Sequence, residues 1–392
     1  MEQPRPRNAR IITVGCFFAF CLFGFVDNLK GATLPAILGD LKINYSQGGI
    51  LLLCGYLGFF VATILAGMLS HISGKKAVLI IAGAALSIGI AGYLFSHSFL
   101  LLACSMVLAG VFMGSAEVGC NDIIIDVHRV DKGRYLNQLS VFHGLGSMLA
   151  PFYAGRVMAG GFSWRLTYGT VLPFAVILLC AFLVIRYPRT MAAPATAIKK
   201  PIGLRFTRDI VFISIMLFFY VAAELSIGSW MVEFLVKAQG FSPSLGSILL
   251  TMFFGLMTAG RFAGSYIVDR VGYVRVLVIA MLLSTACIAA GIFGSQGFTW
   301  LLPVSGFFLS IVFPTSTAII GSRQKENVGA ALGLSFSIAG LGGMFGPWAV
   351  GVAGDLGGIQ AGMSVIILYC FAALASLLLL RGMRRSGRRE GT

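Results

Sequence analysis

A glutamate that could bind and release a proton lies close to an asparagine inside a long apolar stretch of the chain. Glu117 and Asn121 are four positions apart, so on a helix they share one face. A charge at the centre of a bilayer costs about 2.5 to 3.5 kcal/mol on insertion scales, so such a carboxyl group is a candidate for function. Because desolvation penalises its charged form, Glu117 is suited to carry a proton through a cycle. The alternative is a structural ion pair with Lys30 or Arg261.

Two further carboxylates, Asp27 and Glu224, lie near the middle of apolar stretches and are candidates for the same proton chemistry. Asp27 precedes Lys30 by three residues, a spacing at which the two charges can neutralise each other on one helical face. That pair would have a structural role. A Lys30 that faces a cavity without a partner would instead favour an organic anion as the bound solute.

These residues belong to a chain whose composition is typical of a polytopic membrane protein. Hydrophobic residues occupy 58% and charged residues 11% of the 392 positions, more apolar surface than a soluble core of this length needs. Apolar stretches of about 20 residues, the length of a spanning helix, recur along the chain. The sequence predicts twelve transmembrane helices, at residues 11–38, 47–71, 76–96, 99–127, 135–159, 164–187, 209–235, 243–271, 274–295, 298–321, 330–354 and 360–380.

The net charge of +15 raises the question whether the chain binds nucleic acid or crosses a membrane. Most of the lysines and arginines follow every second predicted span or lie at the two termini, which is the pattern of the positive-inside rule. The chain is therefore expected in the plasma membrane, the inner membrane of a bacterium, with both termini cytoplasmic. Its partners are lipid, a small solute and protons rather than nucleic acid, and it is expected to function as a monomer.

No motif in the sequence indicates an enzyme, a metal site or a cofactor. All eight cysteines fall within apolar stretches and none forms a Cys-x-x-Cys pair, so neither a disulfide framework nor a zinc site is expected. A phosphate-cradling loop and a nucleophile motif are also missing from the sequence.

An internal repeat divides the chain into two halves of six spans. Residues 143–151 match residues 339–347 at five of nine positions, and Asp27 and Glu224 are related by nearly the same offset. Two such repeats that enclose a site near the bilayer midplane are one known plan of transporters. The sequence predicts an all-α, pseudo-symmetric protein with halves at residues 1–187 and 209–392, joined by a basic cytoplasmic linker at 188–208.

The loop after the second span resembles the signature of the major facilitator superfamily, Gly-x-Leu-Ala-Asp-Arg-x-Gly-Arg-Lys. Here it begins at Gly67 and ends at Lys76, with His71 in place of the aspartate, whereas Asp269, Arg270 and Gly272 keep the pattern in the second half. The resemblance implies gating and structural roles, and Asp126 is expected to pair with basic residues at the inner face. The residues expected in such roles are Gly67, Gly74, Lys75, Asp126, Arg129, Arg261, Asp269 and Arg270.

A narrower resemblance connects the chain to the fucose permease family of sugar and proton symporters. The family phrase Gly-x-x-Glu-x-x-x-Asn fits residues 114–121, and similar phrases begin at Tyr220 and Phe313. In the first span the family's essential aspartate falls on Gly31, with Asp27 one helical turn away. The resemblance implies the twelve-helix major facilitator fold and a sugar substrate coupled to protons through Glu117.

Aromatic and amide side chains suit the recognition of a sugar, because rings stack on the sugar faces and amides bond to hydroxyls. Trp230 could equally belong to the aromatic belt at the outer interface. The residues expected to bind substrate are Asn28, Lys30, Asn121, His143, Tyr220, Glu224 and Trp230, with Asn137 and Gln138 as further candidates.

The sequence thus favours a secondary transporter that moves a monosaccharide or related small polar solute by alternating access. An exporter of drugs or amphiphiles, and a transporter of an organic anion recognised by Lys30, are the alternatives within transport. A membrane enzyme or receptor is the alternative outside it, and His143 on its glycine-rich helix is more typical of helix packing or of a cavity than of catalysis.

Overall fold

In the computed structural model, the structure of residues 8–128, 130–185, 208–323 and 328–389 is described, and all regular structure in these ranges is helical. The first part of the chain contains α1 (Ala9–Leu41), α2 (Tyr45–Ile72), α3 (Lys75–Leu94), α4 (Phe99–Val127), α5 (Lys132–Ala159), α6 (Trp164–Gly169) and α7 (Leu172–Val184). The second part contains α8 (Arg208–Lys237), α9 (Pro243–Val271), α10 (Tyr273–Phe293), a 3₁₀ turn (Gln296–Trp300), α11 (Leu301–Leu309), α12 (Val312–Arg323) and α13 (Val328–Arg389).

The predicted all-α fold of about twelve spans is confirmed, although four spans differ in detail from the expectation. The predicted span at 164–187 is divided into α6 and α7, and Pro173 stands in the first turn of α7 where a missing N–H costs least. The span at 298–321 is divided into the 3₁₀ turn, α11 and α12. The last two spans lie within α13, which breaks at Gly357 and at Gly358, where φ is 79°.

Among the described residues, ten helices are long and apolar enough to cross a membrane. This number is smaller than twelve because one of the ten, at Ala331–Arg381, contains both of the last predicted spans. The other difference is α5, which is helical over the predicted range but carries Lys132, Arg134, His143 and Arg156. These side chains lower its mean hydropathy below that of the other spanning helices.

The chain folds as two compact units, and the boundary between them runs through α2. Within the described ranges, the first unit contains α1, residue 50 onward of α2, and α3 to α7. The second unit contains residues 44–49 together with α8 to α13. The first turn of α2 therefore has its contacts in the second unit.

Inside the first unit, glycines bring helix backbones into direct contact. A Cβ atom on Gly24 of α1 would fall on the carbonyl oxygen of His143 in α5, and one on Gly146 would fall on that of Cys21. A Cβ atom on Gly110 or on Gly114 of α4 would likewise fall on a backbone carbonyl oxygen of α2. Small residues allow this approach in lipid, where van der Waals packing replaces the hydrophobic effect as the attraction between helices.

The same type of contact occurs inside the second unit. A Cβ atom on Gly342 of α13 would fall on the carbonyl oxygen of Phe218 in α8. Gly146 and Gly342 are corresponding positions of the repeated segment that the sequence contains. In each unit, the glycine-rich repeat therefore allows one long helix to pack closely against another.

The close crossing of α1 and α5 leads to a testable prediction. Gly146→Ala places a methyl group on a carbonyl oxygen, and we expect it to lower the stability of the folded protein by about 1–3 kcal/mol, as overpacking does. Gly39→Ala is the matched control, because a Cβ atom on that helical glycine of α1 meets nothing within 4 Å. Thermal unfolding in detergent measures both, and equal melting temperatures for the two variants would contradict the packing account.

Candidate functional site

The charged residues of α1 form a closed cluster with a tyrosine of α2. Lys30 Nζ lies 2.7 Å from Asp27 Oδ1, and the lysine is only 7% exposed. The same ammonium lies 4.0 Å from the centre of the Tyr56 ring, an arrangement that favours a cation. The Tyr56 hydroxyl lies 3.5 Å from Asp27 Oδ1, close enough for a long hydrogen bond. The charge of Lys30 is therefore balanced inside this unit.

On α4, Glu117 and Asn121 lie on one face, as their spacing predicts, and they contact each other. The Asn121 amide donates to the Glu117 backbone carbonyl at 2.6 Å and to Glu117 Oε1 at 3.1 Å. Both side chains are partly buried. The expected alternative, an ion pair of Glu117 with Lys30, is not formed, because Lys30 is held by Asp27.

Asn28 connects α1 to α5 at the glycine crossing. Its amide group donates to the Gly24 carbonyl at 2.9 Å and to Ser147 Oγ at 3.0 Å, and Ser147 in turn donates to the His143 carbonyl at 2.9 Å. The crossing at Gly24 brings α5 close enough for this contact. Asn28 is thus fixed in one orientation, with its amide nitrogen turned into the protein.

His143 lies where four helices of the first unit meet. Its ring packs edge-on against Phe23 with centroids 4.7 Å apart, and Phe23 in turn lies 6.2 Å from the ring of Phe59 in α2. The Phe59 carbonyl is the group that a Cβ atom on Gly114 of α4 would meet. These contacts join α1, α2, α4 and α5 between the Asp27 cluster and Glu117.

The polar groups of the first unit therefore occupy two depths. Gly110 of α4 packs on Gly55, which is adjacent to Tyr56, so Gly110 marks the depth of the Asp27 cluster. Glu117 lies seven residues further along α4, or about 10 Å at 1.5 Å per residue. Asp27 therefore lies too far along the membrane normal to share a hydrogen bond with Glu117.

In the second unit, α8 carries three of the residues that the sequence predicts to bind substrate, Tyr220, Glu224 and Trp230. Tyr220 is fully buried in α8, and its hydroxyl lies within electrostatic range of Glu224 and Arg261. Trp230, also fully buried, donates its indole N–H to the Pro347 carbonyl at 2.8 Å and packs edge-on against Tyr45 at 5.8 Å. The roles assigned to these residues remain predictions.

Lys75, one of the predicted gating residues, pairs with two carboxylates of α4. Its ammonium lies 2.8 Å from Asp126 Oδ2 and 3.9 Å from Asp122 Oδ2, and it donates to the Asp122 carbonyl at 3.0 Å. Ser70 also donates to Asp122. The carboxylates near the C-terminal end of α4 therefore contact the start of α3. The gating function of this cluster stays a prediction.

Gly74 and Gly272 precede α3 and α10 at corresponding positions, with φ values of 86° and 90° that favour glycine. Gly67 has open space at its Cβ position, and Arg270 lies exposed in the last turn of α9. Arg129 and most of the predicted linker at 188–208 lie outside the described residues, as does the side chain of Asp269.

Sequence reasoning missed Tyr56, Ser147 and Asp355. Tyr56 and Ser147 orient Asp27 and Asn28, but nothing in their local sequence distinguishes them from other polar residues in apolar helices. Asp355 accepts hydrogen bonds from the backbone N–H groups of Tyr45 and Ser46, both at 2.8 Å. It thereby caps the start of α2, where the helix dipole favours a negative charge.

We expect Asp355→Ala to release the first turn of α2. The substitution removes both acceptors, and the loss of a carboxylate cap costs about 1 kcal/mol. Amide hydrogen exchange of residues 44–49 should accelerate in Asp355→Ala and change less in Asp355→Asn, which retains one acceptor oxygen. Unchanged exchange in the alanine variant would show that the cap does not hold this turn.

Comparison with known proteins places these observations in context. The family model described as Major Facilitator Superfamily matches residues 16–231 and 212–392. The chain is 27% identical over 404 residues to a glucose/galactose transporter of Brucella abortus, and the match covers 96% of each protein.

Two solved structures share the fold. A bacterial homologue of the human lysosomal transporter Spinster superimposes with a TM-score of 0.82 at 13% identity, over 96% of this chain and 97% of that chain. The fucose:proton symporter FucP of E. coli superimposes with a TM-score of 0.63 at 18% identity, over 95% of this chain and 99% of that chain.

Proposed function

The chain belongs to the Major Facilitator Superfamily and is a secondary transporter rather than an enzyme, and from this premise we propose that its solute is a monosaccharide or a related polyol. The observation that carries the proposal is the pairing of Glu117 with Asn121 on one face of α4. A carboxyl group beside an amide combines a proton carrier with a group suited to hydroxyls.

Proton coupling is assigned to Glu117. Its neighbours in the described contacts are neutral, since Asn121 is its hydrogen-bond partner and Lys30 is engaged by Asp27. Without a fixed cation to hold it in the charged form, the carboxyl group can exchange its proton as access alternates. Alternating access is assigned to the two halves, residues 1–187 and 209–392, which correspond to the parallel repeats of known transporters.

The neutral character of the solute is supported by the first unit. Lys30, the residue that would recognise an organic anion, is balanced by Asp27 and covered by Tyr56. The relative from Brucella abortus is named a glucose/galactose transporter, which supports a hexose as the first solute to examine. The protein is placed by this proposal in the bacterial inner membrane, with both termini cytoplasmic and as a functional monomer.

Counterflow tests the proposed solute class without relying on a gradient. Proteoliposomes loaded with unlabelled D-glucose, D-galactose, L-fucose or a polyol are diluted into the labelled compound, and transient uptake above that of protein-free liposomes is expected for at least one of them. If no sugar or polyol exchanges while a hydrophobic cation or an organic anion does, the proposal is wrong and the exporter or anion alternative replaces it.

A further inference from the structure

Both hydrogen-bond donors of the Asn28 side chain already have acceptors inside the protein. An amide NH₂ group has two hydrogens, and here one is directed to the Gly24 carbonyl and the other to Ser147 Oγ. The Gly24 carbonyl can only accept, so the nitrogen and the oxygen of this amide cannot be exchanged. The residue is partly exposed, and its carbonyl oxygen is the polar atom left to bond with a solute.

The amide group of Asn121 also donates its hydrogen bonds inside the protein, about three helical turns from Asn28 along the membrane normal. Both of its amide contacts go to Glu117, one to the backbone carbonyl and one to Oε1. The backbone carbonyl again fixes the nitrogen as the donor. Asn121 therefore also presents an acceptor, and it stands beside a carboxyl group that accepts whenever it is ionised.

Lys30, the cationic hydrogen-bond donor of this region, is already paired inside the protein. Lys30 is 7% exposed, with its ammonium on Asp27 Oδ1 and against the face of Tyr56. The Tyr56 hydroxyl is directed to the same carboxylate. A carboxylate or phosphate that entered the unit would meet the oxygens of Asn28, Asn121 and Glu117 without a donor from any of the three.

We infer that the first unit recognises the hydrogen-bond donors of its solute at two separate depths, with the carbonyl oxygen of Asn28 as the acceptor at one depth and that of Asn121, beside the ionised Glu117, at the other. This inference rests on the proposed function and narrows it to neutral polyhydroxylated compounds. Uronic acids, sugar phosphates and dicarboxylates are excluded. A site built to accept from a hydroxyl rejects an analogue that cannot donate, since its buried oxygens are then left unpaired.

Deoxyfluoro sugars provide the test, because fluorine resembles a hydroxyl group in size but donates no hydrogen. With the sugar that shows counterflow, each monofluoro analogue is compared with the parent as a competitor in proteoliposomes. We expect at least one fluoro analogue to compete about tenfold more weakly than the parent, as the loss of one well-placed donor predicts. The corresponding uronic acid should not compete.

Alanine variants identify which asparagine accepts the hydrogen bond from the solute. In Asn121→Ala or Asn28→Ala, the hydroxyl that meets the missing oxygen should no longer matter, so that parent and fluoro analogue compete equally. Should either variant fail to fold, the analogue series on the unmodified protein decides alone. Fluoro analogues that all compete as well as the parent, or a uronic acid that competes equally well, would overturn the inference and leave sugar transport intact.

The inference and the proposed function fail in different ways. If no sugar or polyol exchanges in counterflow, the proposed function is wrong, and the acceptor account is then tested by thermal stabilisation of the purified protein with polyols, primary ammonium compounds and dicarboxylates. Stabilisation by donor-rich compounds supports it, and stabilisation only by the anions overturns it, as does stabilisation by none of the three classes.

Discussion

Glu117→Gln is expected to reduce gradient-driven accumulation of the solute to the level of protein-free liposomes while counterflow exchange persists. Glutamine has the same shape and keeps the acceptor oxygen that Asn121 contacts at 3.1 Å, so the local structure on α4 should be retained. What it lacks is a group that binds and releases a proton. Accumulation needs that step, whereas exchange of solute for solute does not.

Glu233→Gln is the matched control for this variant. Glu233 is also an intramembrane glutamate, 2% exposed in α8, and the proposal gives it no part in coupling. The Glu233→Gln variant should therefore accumulate solute as the unmodified protein does. Full accumulation in Glu117→Gln would remove Glu117 from the coupling step, and loss of counterflow together with accumulation would show that solute exchange, too, requires the carboxylate rather than the amide oxygen of glutamine.

The second large effect is expected on stability, at the Asp27 cluster. Lys30→Met removes the cation but leaves a carboxylate that is only 12% exposed, and breaking a buried ion pair in this way costs about 3–5 kcal/mol. Adding Asp27→Asn to Lys30→Met removes the unpaired charge, so most of the lost stability should return. Thermal unfolding of the single and double variants in detergent measures the difference.

The comparison of Lys30→Met with the double variant separates charge from packing. Both lack the lysine ammonium that lies over the Tyr56 ring, so a difference between them reports the uncompensated carboxylate alone. A double variant as unstable as the single one would show that the packing of Lys30, rather than its pairing with Asp27, stabilises this part of α1.

Much of the fold could be predicted from the sequence because lipid imposes a simple rule on it. Every backbone polar group must be satisfied within a helix, so an apolar stretch of about 20 residues predicts a span directly. The breaks near Val171 and Ile311 were not predicted, since they leave the hydropathy unchanged. Only Pro173 and Pro314, a few residues further on, offered a local signal.

The candidate site was predictable in part. Spacing indicated that Glu117 and Asn121 share a face and that Asp27 can reach Lys30, because both pairs lie within one helix turn. Spacing along the sequence could not predict contacts between different helices. Three such contacts are Tyr56 over Lys30, Ser147 accepting a hydrogen bond from Asn28, and Lys75 as the basic residue that pairs with Asp126. They depend on how the helices cross, and no local sequence pattern encodes the crossing.

The central claim, proton-coupled transport of a neutral sugar, is tested most directly by accumulation in proteoliposomes. Labelled sugar that shows counterflow is supplied outside, with an inward proton gradient and with or without a protonophore. The account predicts that the internal concentration rises above the external one and falls back to equality when the protonophore is added. Sugar that equilibrates to the same level with and without the gradient would contradict coupling and leave a uniporter.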